Sequence, residues 1–481
     1  MPFYDAAIVN GTVIIPYFGP VRCDIGIRQG LIVALADRIA NDRAEWVLDA
    51  AGKVVMPGAV DSHFHLGIYR PLALDVESET TSALVGGVTT VLSYFRTGRS
   101  YLNRTGPYRE IFPEVLASSE GRSYTDYGYH IAIMTAEQLD EIDWLVAEQG
   151  VATFKYYMFY KGLTLKADST SASDYTMAGA YDLGHLYRLM ERVCAASARF
   201  GHHGRISLSL HCEQSELIRV FIEEVKTSGL TGLDAYNRAR PPLSERLAIN
   251  EAVTLAEATG CPINLLHVSG GEALAAAMRR RLDHPELDIR IEATLHHLGL
   301  DYRAVKSIQG KVNPPIRDER EVDALWQGIK AGQIETVVSD HACCTLQDKG
   351  NELWNAQPGF GGTALLYPLL ISEGYHRRHL PLVKVAELAA ANPARNYGLY
   401  PRKGTIAVGS DADLAIVDLE REAVVTPDML LSAQDFTPFA GCRLTGWPTH
   451  TLLRGRLLYA NGEVVGKPCG RYLRRPIALH Q

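Results

Sequence analysis

Apolar positions along this chain follow two rhythms. Over roughly the first fifty residues, short β-rich runs alternate with turns: AAIVNGTVII, CDIGIRQGLIVALA and EWVLDAAGKVVMPG each break at Asn-Gly or Gly. The C-terminal stretch repeats the style in GSDADLAIVDLE, THTLLRGRLLYANGEVVG and the Asn461-Gly462 turn. Two β-rich ends around a long middle predict a small β-sandwich-like domain built from both termini, because a short sheet alone cannot bury its face.

Between about Pro57 and Tyr400 the rhythm changes to apolar β runs, each followed by an amphipathic helix. Examples are ATFKYYMF, RISLSLHC then SELIRVFIEEVKTSG, and PINLLHVS then GEALAAAMRRRLD. This alternation predicts the α/β class, a parallel sheet with crossover helices. Roughly 340 residues of it fit a (β/α)₈ TIM-type barrel, with a doubly wound sheet as the rival. The rival's phosphate turns, GxGxxG and GxxxxGK[ST], are both absent, since Gly310-Lys311 is followed by Val312. The expected division is a barrel over 57–401 and a β domain from 1–56 plus 402–481.

Composition narrows the partners. A formal charge of -7 and a pI near 6.2 offer no basic face to a polyanion, so neither nucleic acid nor an anionic membrane is expected, and a small molecule is. No run approaches the roughly 20 apolar residues of a membrane span. The N-terminus lacks a basic, then apolar, leader, and the 8 cysteines show no CxxC or disulfide-framework spacing. A cytoplasmic protein with reduced thiols is the expectation.

The candidate chemistry lies where polar residues interrupt the apolar runs. Asp61, His63 and His65 follow VVMPGAV, Lys155 sits in VATFKYY, His211 ends ISLSL, His267 ends PINLL, and Asp340 ends IETVVS. In a barrel, the C-terminal strand ends form one mouth, where residues far apart in sequence converge. His63 and His65, two apart in an extended segment, share a face and can chelate one cation. Asp61 is a candidate acceptor for a ring nitrogen of that pair. Asp340, with His341 beside it, can both ligate a cation and take a proton. Taken singly, each has an ordinary reading: a core histidine, a snorkelling lysine, a helix-capping aspartate.

On these residues the chain resembles the amidohydrolase superfamily, and within it the cyclic-amidase branch of hydantoinases, dihydropyrimidinases, allantoinases and dihydroorotases. VMPGAVDSHFHLG matches the family's HxH segment, FKYYMFYKG its lysine segment, LSLHCE and NLLHVS its later histidines, and SDHA its aspartate. ARPPLSERLAI, KVNPPIR and NPARNYGLYPRKGTIAVGSDADLAIVDL match framework segments. The resemblance implies two divalent metal ions, zinc first and manganese, cobalt or iron(II) as alternatives. His63, His65, Lys155, His211, His267 and Asp340 are then the ligands, with Lys155 carboxylated to N6-carboxylysine as a bridge. It implies Asp340 as general base, Tyr160 as oxyanion-stabilising phenol, Phe159 and Asn355 as substrate contacts, and Thr294 as a contact through its backbone. It further implies a homo-oligomer, tetramer or dimer. The reaction implied is opening of a cyclic amide (hydantoin, dihydropyrimidine or related ureide or imide) by attack of a metal-bridging hydroxide on the ring carbonyl. Allantoinase, or a hydrolase of another cyclic imide or lactam, is the alternative, and a non-catalytic dihydropyrimidinase-related scaffold the remote one.

Departures from the family pattern bear on the substrate. Phe159 stands where hydantoinases have a small residue, Cys343 replaces the usual Pro after SDHA, and EATLHHL replaces an ETCPQYL-like seventh strand. Dihydroorotases carry HxHxR, and here the clamp arginine's place holds Gly67, which argues against dihydroorotate. Arg70, Arg96 and Arg99 are either solvated loop charges or, for one of them, a fork for a substrate carboxylate or ureide. The insertion from Leu163 to Tyr181 reads as a lid or a subunit contact. His202-His203 and His296-His297 are not needed as ligands.

Overall fold

The computed structural model describes residues 2–98, 100–160, 181–305 and 307–475. Eight strands, β1 (Ala59–Phe64), β2 (Val88–Phe95), β3 (Asp126–Ala132), β4 (Thr153–Tyr157), β5 (Ser207–His211), β6 (Ile263–Leu265), β7 (Ile289–Thr294) and β8 (Thr336–Val338), lie side by side in chain order. Every ladder between them is parallel. Within these strands all residues but Arg290 are buried. Burial on both faces is why they read as near-continuous apolar runs, not as alternation. The crossover helices cover the outer face, among them Ser215–Thr227 and Gly271–Asp283, where the amphipathic pattern puts them.

The seam between β8 and β1 is closed by loop contacts instead of a regular ladder. Phe64 and His341 form an isolated parallel bridge, in which the His65 amide donates to the His341 carbonyl at 2.8 Å. Next to it, the Ser339 amide and hydroxyl both donate to the Asp61 carboxylate, at 3.1 and 2.5 Å. The seam therefore brings the His63–His65 segment against Asp340.

The second domain is composite, as the β-rich ends predict. Leu31–Ala36, Asp24–Arg28, Tyr4–Val9 and Ala44–Asp49 form a four-stranded sheet. A seven-stranded sheet joins Thr12–Ile15, Gly19–Arg22 and Val54–Pro57 to the C-terminal strands Leu414–Val424, Arg443–Leu453, Arg456–Ala460 and Glu463–Val464. Ile8, Val13, Ile25, Val55, Ile416 and Leu452 fill the core between the two. The run VVMPGAV is thus divided, its first half pairing Pro57 with Leu414 and its second half opening the barrel. Gly58 sits at the crossing, where a Cβ would fall 2.2 Å from Thr89 Oγ1. The tail Gly470–Arg475 returns to the barrel, with the Leu473 amide donating to Tyr127 O and the Arg475 amide to Gly150 O, both at 2.7 Å. Among the described residues no helix is long and apolar enough to cross a membrane.

Candidate metal centre and substrate cavity

The strand ends gather the predicted residues around one cavity. His63, His65, Lys155, His211, His267 and Asp340 all line it, together with Ile68, Tyr69, Tyr157, Phe159, Tyr160, Val312, Asn313, Pro358 and Gly359. His63 Nε2 and His65 Nε2 each lie 3.1 Å from Asp340 Oδ1. Donor atoms of these three residues all fall within 4.8 Å of one another. On the other side, His211 Nδ1 and His267 Nε2 face each other at 2.7 Å. The rings of His63 and His267 stack at 5.2 Å and join the two groups.

Two of these residues hold left-handed backbone: His267 at φ 56° and Asp340 at φ 52°. That conformation is unfavourable for a residue with a Cβ, and such strain concentrates where a side chain must be aimed. Both residues stand just past a short strand, β6 and β8, so the turn out of the strand sets the direction of the side chain.

Burial controls the charge of the site. Desolvation pushes His63 and His267 far below the ordinary histidine range, and His211 down to about 4. The imidazoles are therefore neutral at pH 7, with lone pairs free to donate. Lys155 is fully buried. Its Nζ has no hydrogen-bond partner and lies 4.3 Å over the Tyr94 ring and 4.9 Å over the Tyr157 ring. Desolvation lowers its pKa to about 7 against the opposing pull of Asp340 and Glu292. His63 Nε2 is likewise buried without a properly directed partner.

Acids that the sequence reading left out hold the ligand rings. Glu292, on β7, takes His63 Nδ1 at 2.7 Å. Glu213 takes His211 Nε2 at 2.7 Å, and Arg240 grips that carboxylate from Nε at 2.9 Å and Nη2 at 2.5 Å. Tyr101 OH meets His65 Nδ1 at 3.2 Å. Asp61 does not orient a histidine as expected, because both its oxygens are engaged by Ser339. The available signal was an acid inside an apolar strand, IRIEAT, and an acid two residues past a candidate ligand, HCE. Each is costly to bury unless something nearby needs it.

The expected substrate contacts divide. Phe159 and Tyr160 line the cavity, and the Phe159 ring sits 4.4 Å from that of His211. Thr294, expected to act through its backbone, is buried; its hydroxyl meets His297 Nδ1 at 2.7 Å, and it is not among the residues lining the cavity. Asn355 is exposed, its amide donating to Glu352 at 3.2 Å. The asparagine in the cavity wall is Asn313, hydrogen-bonded to the Tyr236 hydroxyl.

The arginines do not supply a carboxylate fork at the cavity wall among the described residues. Arg70 is held by Asp75 at 3.0 Å, and Arg96 is buried, not solvated, with its guanidinium over the Tyr101 ring at 5.5 Å. Arg99 and residues 163–180 of the insertion lie outside the described residues; Tyr181 is buried, its hydroxyl accepting from the Tyr157 amide at 3.0 Å. His341 stacks on Phe64 at 4.4 Å and bonds Glu79 at 2.8 Å, fixing the turn after β8. His296 and His297 are buried and lie outside the cavity lining; His202 lies in the loop before β5.

The sequence profile described as "Amidohydrolase family" matches residues 54–458. An allantoinase of Deinococcus radiodurans is 33% identical over 476 residues, 97% of this chain and 98% of its own. A D-hydantoinase of Ralstonia pickettii is 29% identical over 489 aligned positions, with 98% and 99% covered. A solved D-hydantoinase structure superposes with a TM-score of 0.86 at 28% identity, again over 98% and 99% of the two chains.

Proposed function

This chain belongs to the amidohydrolase family, and we propose that it opens a cyclic amide: a hydantoin, a dihydropyrimidine, or a related ureide or imide. The observation that carries this reading is the convergence of His63, His65, Lys155, His211, His267 and Asp340 on one cavity. Likeness over the whole length to D-hydantoinase and allantoinase supports it.

The donor set fits a pair of divalent cations: four neutral imidazoles, one carboxylate, and the buried Lys155 Nζ, which has no hydrogen-bond partner. Zinc is the first choice, with manganese, cobalt or iron(II) suiting the same ligands. Bound there, such ions act as Lewis acids on the ring carbonyl and lower the pKa of water. Lys155 is suited to carboxylation. With its pKa pushed down to about 7, much of the amine is neutral at pH 7, and its lone pair can bond the carbon of CO₂. The amine proton then leaves to solvent, and N6-carboxylysine would present two oxygens sharing one negative charge where an ammonium would repel a cation.

Asp340 takes the proton of the attacking water and passes it to the departing ring nitrogen, which gives an N-carbamoyl acid from a hydantoin or dihydropyrimidine. Tyr160, at the cavity wall, donates its hydroxyl to the carbonyl oxygen as charge develops there. Phe159, Ile68, Val312 and Pro358 make the remaining wall largely apolar. With Gly67 in place of a clamp arginine, a ring bearing a carboxylate is disfavoured.

A second reading is allantoin as the ring, favoured by the 33% identity to an allantoinase. We propose further a symmetric homo-oligomer, tetramer or dimer, working in the cytoplasm, where the eight cysteines, all unpaired, stay reduced. The test is ring opening of hydantoin, 5-substituted hydantoins, dihydrouracil, allantoin, dihydroorotate and simple cyclic imides, after reconstitution with divalent metal and bicarbonate. Turnover of one class supports the reading and names the ring. Silence across the panel, with metal bound, overturns it.

A further inference from the structure

Two buried lysines stand behind the cavity wall, and neither has a carboxylate for a partner among the described residues. Lys349 Nζ donates to the carbonyls of Lys311, at 2.8 Å, and Gly359, at 2.7 Å. Lys311 Nζ donates to the carbonyls of Leu353, Trp354 and Ala356, at 2.7, 3.3 and 2.5 Å. Burial lowers both ammoniums, Lys349 to about 8 and Lys311 to about 7, and the Lys349 charge adds to the cost at Lys311. A buried cation without an acid is expensive, and an apolar side chain would fill the space at lower cost.

What the pair holds is specific. The Lys311 carbonyl also accepts from the Gly359 amide at 2.9 Å, so Lys349 ties Lys311 and Gly359 to each other. The residues just beyond these knots, Val312, Asn313 and Pro358, are cavity wall, as is Gly359 itself. Lys311 meanwhile draws the carbonyls of Leu353, Trp354 and Ala356 inward, so the loop from 350 to 359 is gathered around its amino group, with Leu353 and Trp354 packed on Val225, Ala235 and Ala239. From the front, Tyr69 OH reaches Pro358 O at 2.5 Å.

We infer that Lys349 and Lys311 are positioning residues for substrate, two internal amino groups that lock the 311–313 and 356–359 segments into one rigid face of the cavity. The inference rests on the cyclic-amidase reading for its kinetic part and on the fold alone for its structural part. Neither lysine lines the cavity, so both act through the backbone they hold. Loosening that face weakens ground-state binding and leaves the metal ligands and Asp340 where they are.

The experiment compares wild type with Lys349→Met and Lys311→Met, each loaded with divalent metal. It measures bound metal, kcat and KM on whichever ring the wild type opens, and amide hydrogen exchange across 350–360. The expected result is a KM raised about tenfold or more with kcat changed less than about threefold, metal content equal to wild type, and faster exchange confined to that loop. KM and exchange both unchanged in the two variants overturn the inference. A loss of kcat and metal with KM constant also overturns it, since it would mean the lysines support the metal side. If Lys349→Met does not fold, Lys311→Met decides, because it removes the loop contacts and leaves the Lys311–Gly359 knot. If the wild type opens no ring, the cyclic-amidase reading fails, and the exchange data alone judge the structural part.

Discussion

His63 is held from behind by Glu292: its Nδ1 lies 2.7 Å from Glu292 Oε1, both fully buried, across the barrel between β1 and β7. An imidazole gripped at Nδ1 presents Nε2 to the cavity, where Asp340 Oδ1 is 3.1 Å away. Glu292 thereby sets the tautomer and aim of a predicted ligand. Glu292→Gln is expected to weaken metal binding about 10- to 100-fold. Metal titration against a competing chelator checks this, and unchanged affinity would remove Glu292 from the site.

Lys155 makes a pH-dependent prediction. Its amine, at about 7, is protonated and inert to CO₂ below that pH and neutral above it. In bicarbonate, native mass spectrometry of the metal-free protein should show one added CO₂ per chain growing in above pH 7 and fading below. A gain at Lys155 that ignores pH across this window would contradict the assignment of its pKa.

Lys349 makes a separate pH prediction, through stability. Its folded pKa of about 8 lies below the ordinary value of 10.5. Between those limits the unfolded chain binds more protons than the folded one at this site, so stability rises with pH through the window. The rise should be smaller in Lys349→Met, as measured by denaturant unfolding at both ends of the window. Equal slopes would show that the ammonium is not buried as described.

The barrel's link to the second domain carries a charge hub. Lys403 Nζ is buried among Asp126, Asp411 and Asp413, at 2.5, 2.8 and 2.7 Å. Removing one partner of a buried network leaves the others uncompensated, which costs about 3–5 kcal/mol in comparable cases. Lys403→Met should lower stability by that order with the metal centre intact, and a change under 1 kcal/mol (about one surface pair) would refute the hub.

How far the sequence carried the site depended on whether a residue broke an apolar run. His63, Lys155, His211, His267 and Asp340 stood out because each interrupts or ends a buried strand, and the barrel's mouth then explained their convergence. Glu292 gave the same kind of signal inside IRIEAT but had no partner visible in one dimension. Asp61 was given the role Glu292 fills, since proximity in sequence stood in for proximity across the barrel. The left-handed backbone of His267 and Asp340 left no trace in residue type, because glycine was not used there. Asn355 was read as a pocket residue on motif position alone, and Asn313, inside the framework segment KVNPPIR, gave no signal, because its place in the cavity wall depends on long-range packing. The composite domain was legible because both ends share one short-strand rhythm, while the loop-closed seam at Phe64 and His341 was not.

The two asparagines give their own test. Asn355→Ala, at an exposed site, should leave kcat/KM within about twofold, in line with surface substitutions generally. Asn313→Ala, in the cavity wall, should lower it at least about tenfold, the loss of one good polar contact. Steady-state kinetics on the ring that the wild type opens measures both, and the reverse order would restore Asn355 to the site.

The most direct measurement is metal content and turnover of Lys155→Ala beside wild type, both reconstituted with divalent metal and bicarbonate. The proposed function predicts that the variant loses metal relative to wild type and loses ring opening with it. Full metal content and full turnover in Lys155→Ala would contradict a lysine-bridged metal pair as the centre of this protein's chemistry.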